Sequence, residues 1–398
     1  MTSLSHQAGG AAPSLALFCK VVDNFGDIGI CWRLSRQLQC EHGVDVTLWV
    51  DDLATFKRIC PPVDPAAPVQ RVAGVTVRHW SGQDGVFTPA DVADTVIEFF
   101  AVDIPPGYID AMAQCTPRPV WLNLEGMSAE EWVEGCHTLP STHPRLGLIK
   151  HFFFPGFTPR TGGLLRETGL DAERLAFQAD PAARRGFLAA LGVSDTEQAA
   201  FKVSLFCYPH APVAALFAAW REHDTPLVCL VPEGVAQDAV GDFLGAAAIP
   251  GAAATRGALT VRVVPFMAQP DYDKLLWACD LNLVRGEDSI VRAQWAGRPF
   301  VWHIYPQDEN LHHVKLRAFL GRFSPQLEAA NAFNLRWNDA IDSRGDWSET
   351  WRAYFGAHPA SAERAEQWQR AIADNGDLAS NLLRFAGAVR RQSAQRAI

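Results

Sequence analysis

Two stretches of this chain carry side chains able to do chemistry. VVDNFGDIGICWR, residues 21–33, sets Asp23 and Asp27 four apart, around Asn24, Phe25 and Gly26, just after the apolar run Leu15–Cys19. RGEDS, Arg285–Ser289, follows a second apolar run, Leu281–Val284, and leads into IVRAQWAG. Paired carboxylates beside glycines admit three uses: a phosphate cradle, a metal site, or a base aimed into a cleft. Spacing trims these. Gly26-x-x-Gly29 lacks the first glycine of the dinucleotide fingerprint G-x-G-x-x-G, and no G-K-[ST] follows the turn as a Walker loop needs. A metal held on a diphosphate usually takes Asp-x-Asp, so a spacing of four with a phenylalanine inside fits poorly. What remains is a carboxylate at a loop-to-helix junction. Asp27 could be an N-cap and Asp23 an Asx-turn, or both could act in catalysis; residue types alone leave these open.

RGEDS offers different chemistry. A helix start has free backbone N–H groups and a positive dipole end, which suit an anion such as a diphosphate. Gly286 would allow close backbone approach. Glu287 and Asp288 repel phosphate and serve better as acceptors for sugar hydroxyls. The alternative is a turn glycine followed by a capped helix, with Asp288 or Ser289 as N-cap. Downstream, His303, Tyr305, Gln307, Asp308, Glu309, Asn310, His312 and His313 form a dense polar segment. It could ligate a metal, although adjacent histidines do not readily share one ion. It could equally be a polar loop feeding a helix near Asn310, with Gln307 and Asn310 presented to a sugar or phosphate.

These residues need elements to hold them. Short apolar runs alternate with helical patterns in the first half. Strands are expected at Leu15–Cys19, Val44–Val50, Val75–His79, Val96–Phe99, Pro119–Asn123 and Leu146–Phe154, with a helix over Gly29–Glu41. A second series begins near Ala200. Strands are expected at Phe201–Cys207, Pro226–Val231, Leu259–Val264, Leu281–Val284 and Phe300–Ile304, with helices at Val213–Trp220, Tyr272–Ala278 and Ser289–Ala296. Such alternation is the sequence form of βαβ units and a mainly parallel sheet. Pro61–Val69 and Ala246–Ala258 read as surface loops, and Ala360–Ile398 as mostly helical. In open α/β sheets ligands bind beyond the carboxyl ends of the strands, the address of both chemical stretches.

Composition sets the outer bounds. At 398 residues and about 100–200 residues per domain, two domains are expected. Hydrophobic residues make up 48%, enough for sizeable cores. A formal charge of −9 argues against nucleic acid as a partner and allows a cationic one. Nine cysteines without a C-x-x-C pair, several in apolar runs, read as reduced thiols in a cytoplasmic setting. MTSLSHQAGGAAPS shows no basic segment ahead of a long apolar one, so no secretion signal is expected. No stretch is long and apolar enough to span a membrane.

Longer motifs sharpen this reading. FCKVVDNFGDIGICWRLSRQL, WLNLEGMSAEEWVEGCHTLPS, FFFPGFTPRTGGLLRE and VPFMAQPDYDKLLWACDLNLVRGEDSIVRAQWAGRPFVWHIYPQDENLHHVKL resemble the bacterial protein-arginine rhamnosyltransferases that modify translation elongation factor P. The resemblance runs from about Leu15 to the C-terminal helices. It implies an α/β GT-B fold, two Rossmann-like lobes facing each other across a cleft. Residues 1–185 would form the acceptor-side lobe and 186–374 the nucleotide-sugar lobe, with a C-terminal helix at about 375–398 packing back on the first. It implies inverting transfer of L-rhamnose from dTDP-β-L-rhamnose to the guanidinium of one arginine on elongation factor P, without a metal or other cofactor. The modified factor would then rescue ribosomes stalled at polyproline. Asp27 would be the general base and Asp23 its essential neighbour. Phe206, Phe266 and Tyr272 would surround the thymine with Gln269 beside them. Tyr208 would face the donor, and Glu287, Asp288 and Ser289 the ribose and diphosphate. A GT-B enzyme with a small-molecule or glycan acceptor, or a protein that only binds a nucleotide sugar, are the competing readings.

Overall fold

A computed structural model of the protein describes residues 12–80, 82, 83 and 85–396. Most of the N-terminal stretch read for a secretion signal lies outside these residues. The chain forms two compact units. One comprises residues up to Gly126, Cys136–Phe154 and the chain from Ala379 onward; the other comprises Met127–Gly135 and Pro155–Leu378. The division thus falls at 154/155, where the sequence suggests 185/186. The helices Leu170–Ala179 and Pro181–Ala190 pack on the helix Gln269–Ala278 of the second unit, which is why they join it.

The first unit is built on an eight-stranded sheet. Its strands in chain order are β1 (Ser14–Cys19), β2 (Asp45–Val50), β3 (Val69–Val72), β4 (Val75–His79), β5 (Thr95–Phe99), β6 (Val120–Leu124), β7 (Pro140–Thr142) and β8 (Ile149–Phe153). Their spatial order is β3-β4-β2-β1-β5-β6-β8-β7. The inner six run parallel, and β3 and β7 close the edges antiparallel. β5 and β6 are buried at every position, as parallel strands covered on both faces must be. The final helix Leu378–Arg396 belongs here: Phe385 packs on the rings of His151 and Phe153, 5.3 and 5.8 Å away.

The second unit carries a six-stranded sheet of the same plan: β9 (Phe201–Leu205), β10 (Leu227–Pro232), β11 (Ala253–Arg256), β12 (Leu259–Val264), β13 (Leu281–Arg285) and β14 (Phe300–His303). The order is β11-β12-β10-β9-β13-β14, with only β11 antiparallel. The segment Ala246–Ala258, expected to be loop throughout, therefore contains an edge strand. In each sheet the order reverses once, between β1 and β5 in the first and between β9 and β13 in the second. Those reversals open a crevice at the carboxyl ends of the strands. All nine cysteines are free thiols. No helix among the described residues is long and apolar enough to cross a membrane.

Candidate functional site

In the first unit the reversal point is occupied by Asp23–Asp27. The helix after β1 starts at Phe25, four residues earlier than its apolar pattern suggests, and runs to His42. It buries Ile28, Cys31, Trp32, Leu34 and Leu38 and stops at Gly43. Asp27 is therefore not an N-cap. Asn24 holds that position with a positive φ (41°) and makes no side-chain cap. Asp27 is the third helical residue and reaches backward: its Oδ2 accepts the N–H of Val22 and of Asp23, both at 2.8 Å. The carboxylate is 4% exposed, so two backbone bonds fix it where it stands. Asp23 is half-buried, and its carbonyl accepts the Gly26 N–H at 2.7 Å. A Cβ on Gly26 would lie 2.8 Å from Asp23 Oδ2. The glycine is needed because the Asp23 carboxylate occupies that space. One strand over, Asp51 accepts the Val21 N–H at 2.8 Å, so consecutive amides of the turn are held by different aspartates.

The second unit gathers most of its expected residues at its own reversal point. Phe206 and Tyr208 follow β9, and Arg285 ends β13. The register pairs Leu205 with Leu283, which sets Arg285 opposite Cys207 and hence between the two rings. Its guanidinium carbon is 4.5 Å from the Phe206 ring centre and 4.9 Å from that of Tyr208, and Nη1 donates to the Cys207 carbonyl at 3.3 Å. Residue types did not single out Arg285. Only the pairing of β9 with β13 reveals it. Phe206 also meets Tyr272 edge-on at 5.9 Å.

The helix Asp288–Trp295 is capped differently from expectation. Its N-cap is Glu287, with no side-chain cap bond, so neither Asp288 nor Ser289 fills that role. The Ser289 hydroxyl instead accepts the Arg285 N–H at 3.0 Å and donates to the Arg285 carbonyl. Asp288 accepts the Gln269 amide at 3.2 Å. Glu287 is ion-paired with Lys315 at 2.5 Å and accepts the Met127 N–H at 3.2 Å. Gly286 (φ 64°) makes the tight turn; its N–H donates to the His303 carbonyl, and its carbonyl accepts the Trp302 indole N–H at 2.9 Å. Behind this turn, Arg292 grips Asp273 through two bonds of 3.0 and 2.7 Å. That buried pair locks the helix to Gln269–Ala278, the element carrying Gln269 and Tyr272. Phe266 is half-buried beyond the end of β12, two strands from β9.

The polar segment after β14 becomes a short 3₁₀ turn, Asp308–Asn310, and then the helix Leu311–Phe323 with Asn310 at its N-cap. Gln307 donates its N–H to His312 Nδ1. Among the described residues no three His, Cys, Asp or Glu side chains are grouped to hold a metal ion.

Known proteins resemble this chain over most of its length. The family model described as Elongation-Factor P (EF-P) rhamnosyltransferase EarP matches residues 15–387. A protein-arginine rhamnosyltransferase of Pseudomonas putida is 48% identical over 371 residues, spanning 93% of this chain and 97% of that one. The corresponding protein of Pseudomonas aeruginosa is 47% identical over 375 residues, with the same coverage. A solved structure concerning EarP-mediated arginine glycosylation of translation elongation factor EF-P is 34% identical with a TM-score of 0.63, covering 94% of this chain and 98% of that one.

Proposed function

The chain belongs to the family of elongation-factor-P rhamnosyltransferases, and from that premise we propose that it moves L-rhamnose from dTDP-β-L-rhamnose to the guanidinium of one arginine on elongation factor P. Transfer inverts the anomeric carbon and needs no metal ion, and the product supports translation through polyproline. The observation that carries this reading is the family match over 15–387, with both chemical stretches at the reversal points of their sheets.

An arginine is a poor nucleophile. It stays protonated below a pKa of about 12, and its lone pairs are delocalised. A carboxylate accepts guanidinium N–H bonds two at a time and so orients the fork. Asp23 and Asp27 suit this work, with Asp27 taking the proton as the nitrogen attacks. Its fixed geometry follows from the two backbone bonds at Oδ2, which leave it little to reorganise.

The donor falls to the second unit. Phe206, Phe266 and Tyr272, with Gln269, take the nucleobase, and Tyr208 faces the sugar. Glu287, Asp288 and Ser289 serve the ribose and diphosphate. The two acids are not bare charges aimed at phosphate, since Lys315 neutralises one and the Gln269 amide occupies the other. Arg285 adds a positive charge at the same turn. Together with the N-terminal N–H groups and dipole of the helix Asp288–Trp295, it stabilises the charge that develops on departing dTDP.

Incubation of elongation factor P with the enzyme and dTDP-rhamnose, followed by mass spectrometry, tests the proposal. One deoxyhexose on a single arginine is expected, and the same yield in excess EDTA. An unmodified factor, or sugar on another residue type, would overturn the acceptor assignment. A loss restored by Mg²⁺ would overturn the metal-free mechanism.

A further inference from the structure

His303 and His210 belong to none of the roles above, yet they tie the donor-side turns together. His303, the last residue of β14, is 1% exposed. Its Nδ1 accepts the Tyr208 N–H at 3.1 Å, and its carbonyl accepts the Gly286 N–H at 3.1 Å. One residue thus joins the turn after β9 to the turn after β13. Its Nε2 lies 3.0 Å from Nε2 of the exposed His210, whose ring stacks on Tyr208 (6.0 Å, 5° between planes).

The protons in this chain are set by bonding rules. A backbone N–H can only donate, so His303 Nδ1 carries no proton. His303 Nε2–H therefore donates to His210 Nε2, and His210 keeps its own proton on Nδ1. Both rings must be neutral. A proton on His210 Nε2 would set two N–H groups against each other. His303 could restore the contact only by moving its proton to Nδ1, which would then oppose the Tyr208 N–H. Either way the turn carrying Tyr208 loses a bond.

We propose that His303 is a positioning residue for donor binding, and that His210 is its proton-sensitive lock: neutral His210 holds Tyr208 against Arg285, and protonated His210 releases it. This rests on the reading of the β9 and β13 turns as the donor site. The surrounding charges define the window. Burial pushes His303 well down, and His210, Arg285 and His312 add to that. His210, exposed on one side and stacked on Tyr208 on the other, is lowered by partial desolvation, while Asp339 opposes the shift. His312, on the helix Leu311–Phe323, is lowered by burial and by neighbouring His313. Arg285 faces the cluster from β13, and Tyr305 meets Tyr208 edge-on at 5.7 Å. The lock is therefore closed above the ordinary histidine range and opens as pH falls below it.

Calorimetry with dTDP-rhamnose at about pH 8 and about pH 5, below the lowered range of His210, reads this directly. The sugar substituent removes the terminal phosphate ionisation that free dTDP would contribute in this range. The affinity is expected to fall about fivefold to tenfold at the lower pH, the worth of one lost hydrogen bond. His210→Gln offers a carbonyl to the same bond but cannot take the proton. Its affinity ratio between the two pH values is expected to stay near one. Equal wild-type affinity at both pH values, or an acid loss that persists in His210→Gln, overturns the lock. A wild-type protein that binds no dTDP-rhamnose at either pH overturns the donor-site reading, and the lock with it.

Discussion

After β1 the first unit places two aspartates; after β9 and β13 the second places an arginine wedged between two rings. The scaffolds are alike, with parallel strands, one reversal of order and a turn into a helix at the carboxyl end. The chemistry is opposite in sign. In the first turn, backbone N–H groups converge on a side-chain carboxylate. In the second, a hydroxyl bridges the backbone of the arginine, and the acids are engaged by Lys315 and Gln269. One architecture can therefore present a turn built around carboxylates or one built around a guanidinium. The choice lies in a few residues past the strand end and in how their charges are compensated.

Breaking each turn should separate the two roles. Asp27→Asn keeps an oxygen to accept the Val22 and Asp23 amides but loses the base. Turnover is expected to fall about a hundredfold to ten-thousandfold, with calorimetry showing unchanged affinity for dTDP; near-normal turnover would remove Asp27 as base. Asp273→Ala takes the bidentate partner from buried Arg292 and leaves it only the single bond to the more exposed Glu167, 2.6 Å away. Denaturant unfolding should show a loss of about 3 kcal/mol, together with weaker donor binding. Arg285→Ala is expected to weaken donor binding about tenfold to a hundredfold while leaving acceptor affinity alone. Equal losses for both ligands would collapse the distinction between the turns. Ser289→Ala should weaken dTDP binding about fivefold, since it frees the Arg285 backbone rather than removing a charge.

A separate effect concerns stability in acid. His137, in the first unit, accepts the Phe154 N–H at Nδ1 (3.1 Å), and burial pushes it down to about 4. The unfolded chain takes this proton near pH 6.5 or so. The contribution is intact above that range and is lost as pH falls from there toward about 4, where the folded ring titrates too. A melting temperature that declines across this window in wild type, and less in His137→Gln, is the expected outcome.

The inner strands were legible because they are apolar runs buried on both faces. β4 and β12 appear with the expected bounds, and most others within two residues. β3, β7 and β11 were not legible. They are short, largely exposed edge strands whose pairing comes from a hairpin rather than from a hydrophobic face. The start of the helix after β1 was misplaced because Gly26 looks like a turn residue. Here it makes room for the Asp23 carboxylate inside the first helical turn. The carboxylates drew notice by type, and the aromatics through the family resemblance. Arg285, His210 and His303 acquire meaning only from the register of β9, β13 and β14, which no local pattern in the chain encodes.

The final helix, grouped with the first unit, has a consequence for biogenesis. The chain passes between the units at 126/127, 135/136, 154/155 and 378/379. Domains emerging from the ribosome usually close in the order they are made. Here the unit begun first still lacks the helix that covers His151 and Phe153 until residues beyond 378 have been translated. The later-started unit can finish before it, and neither half can be cut out of the gene as one continuous piece.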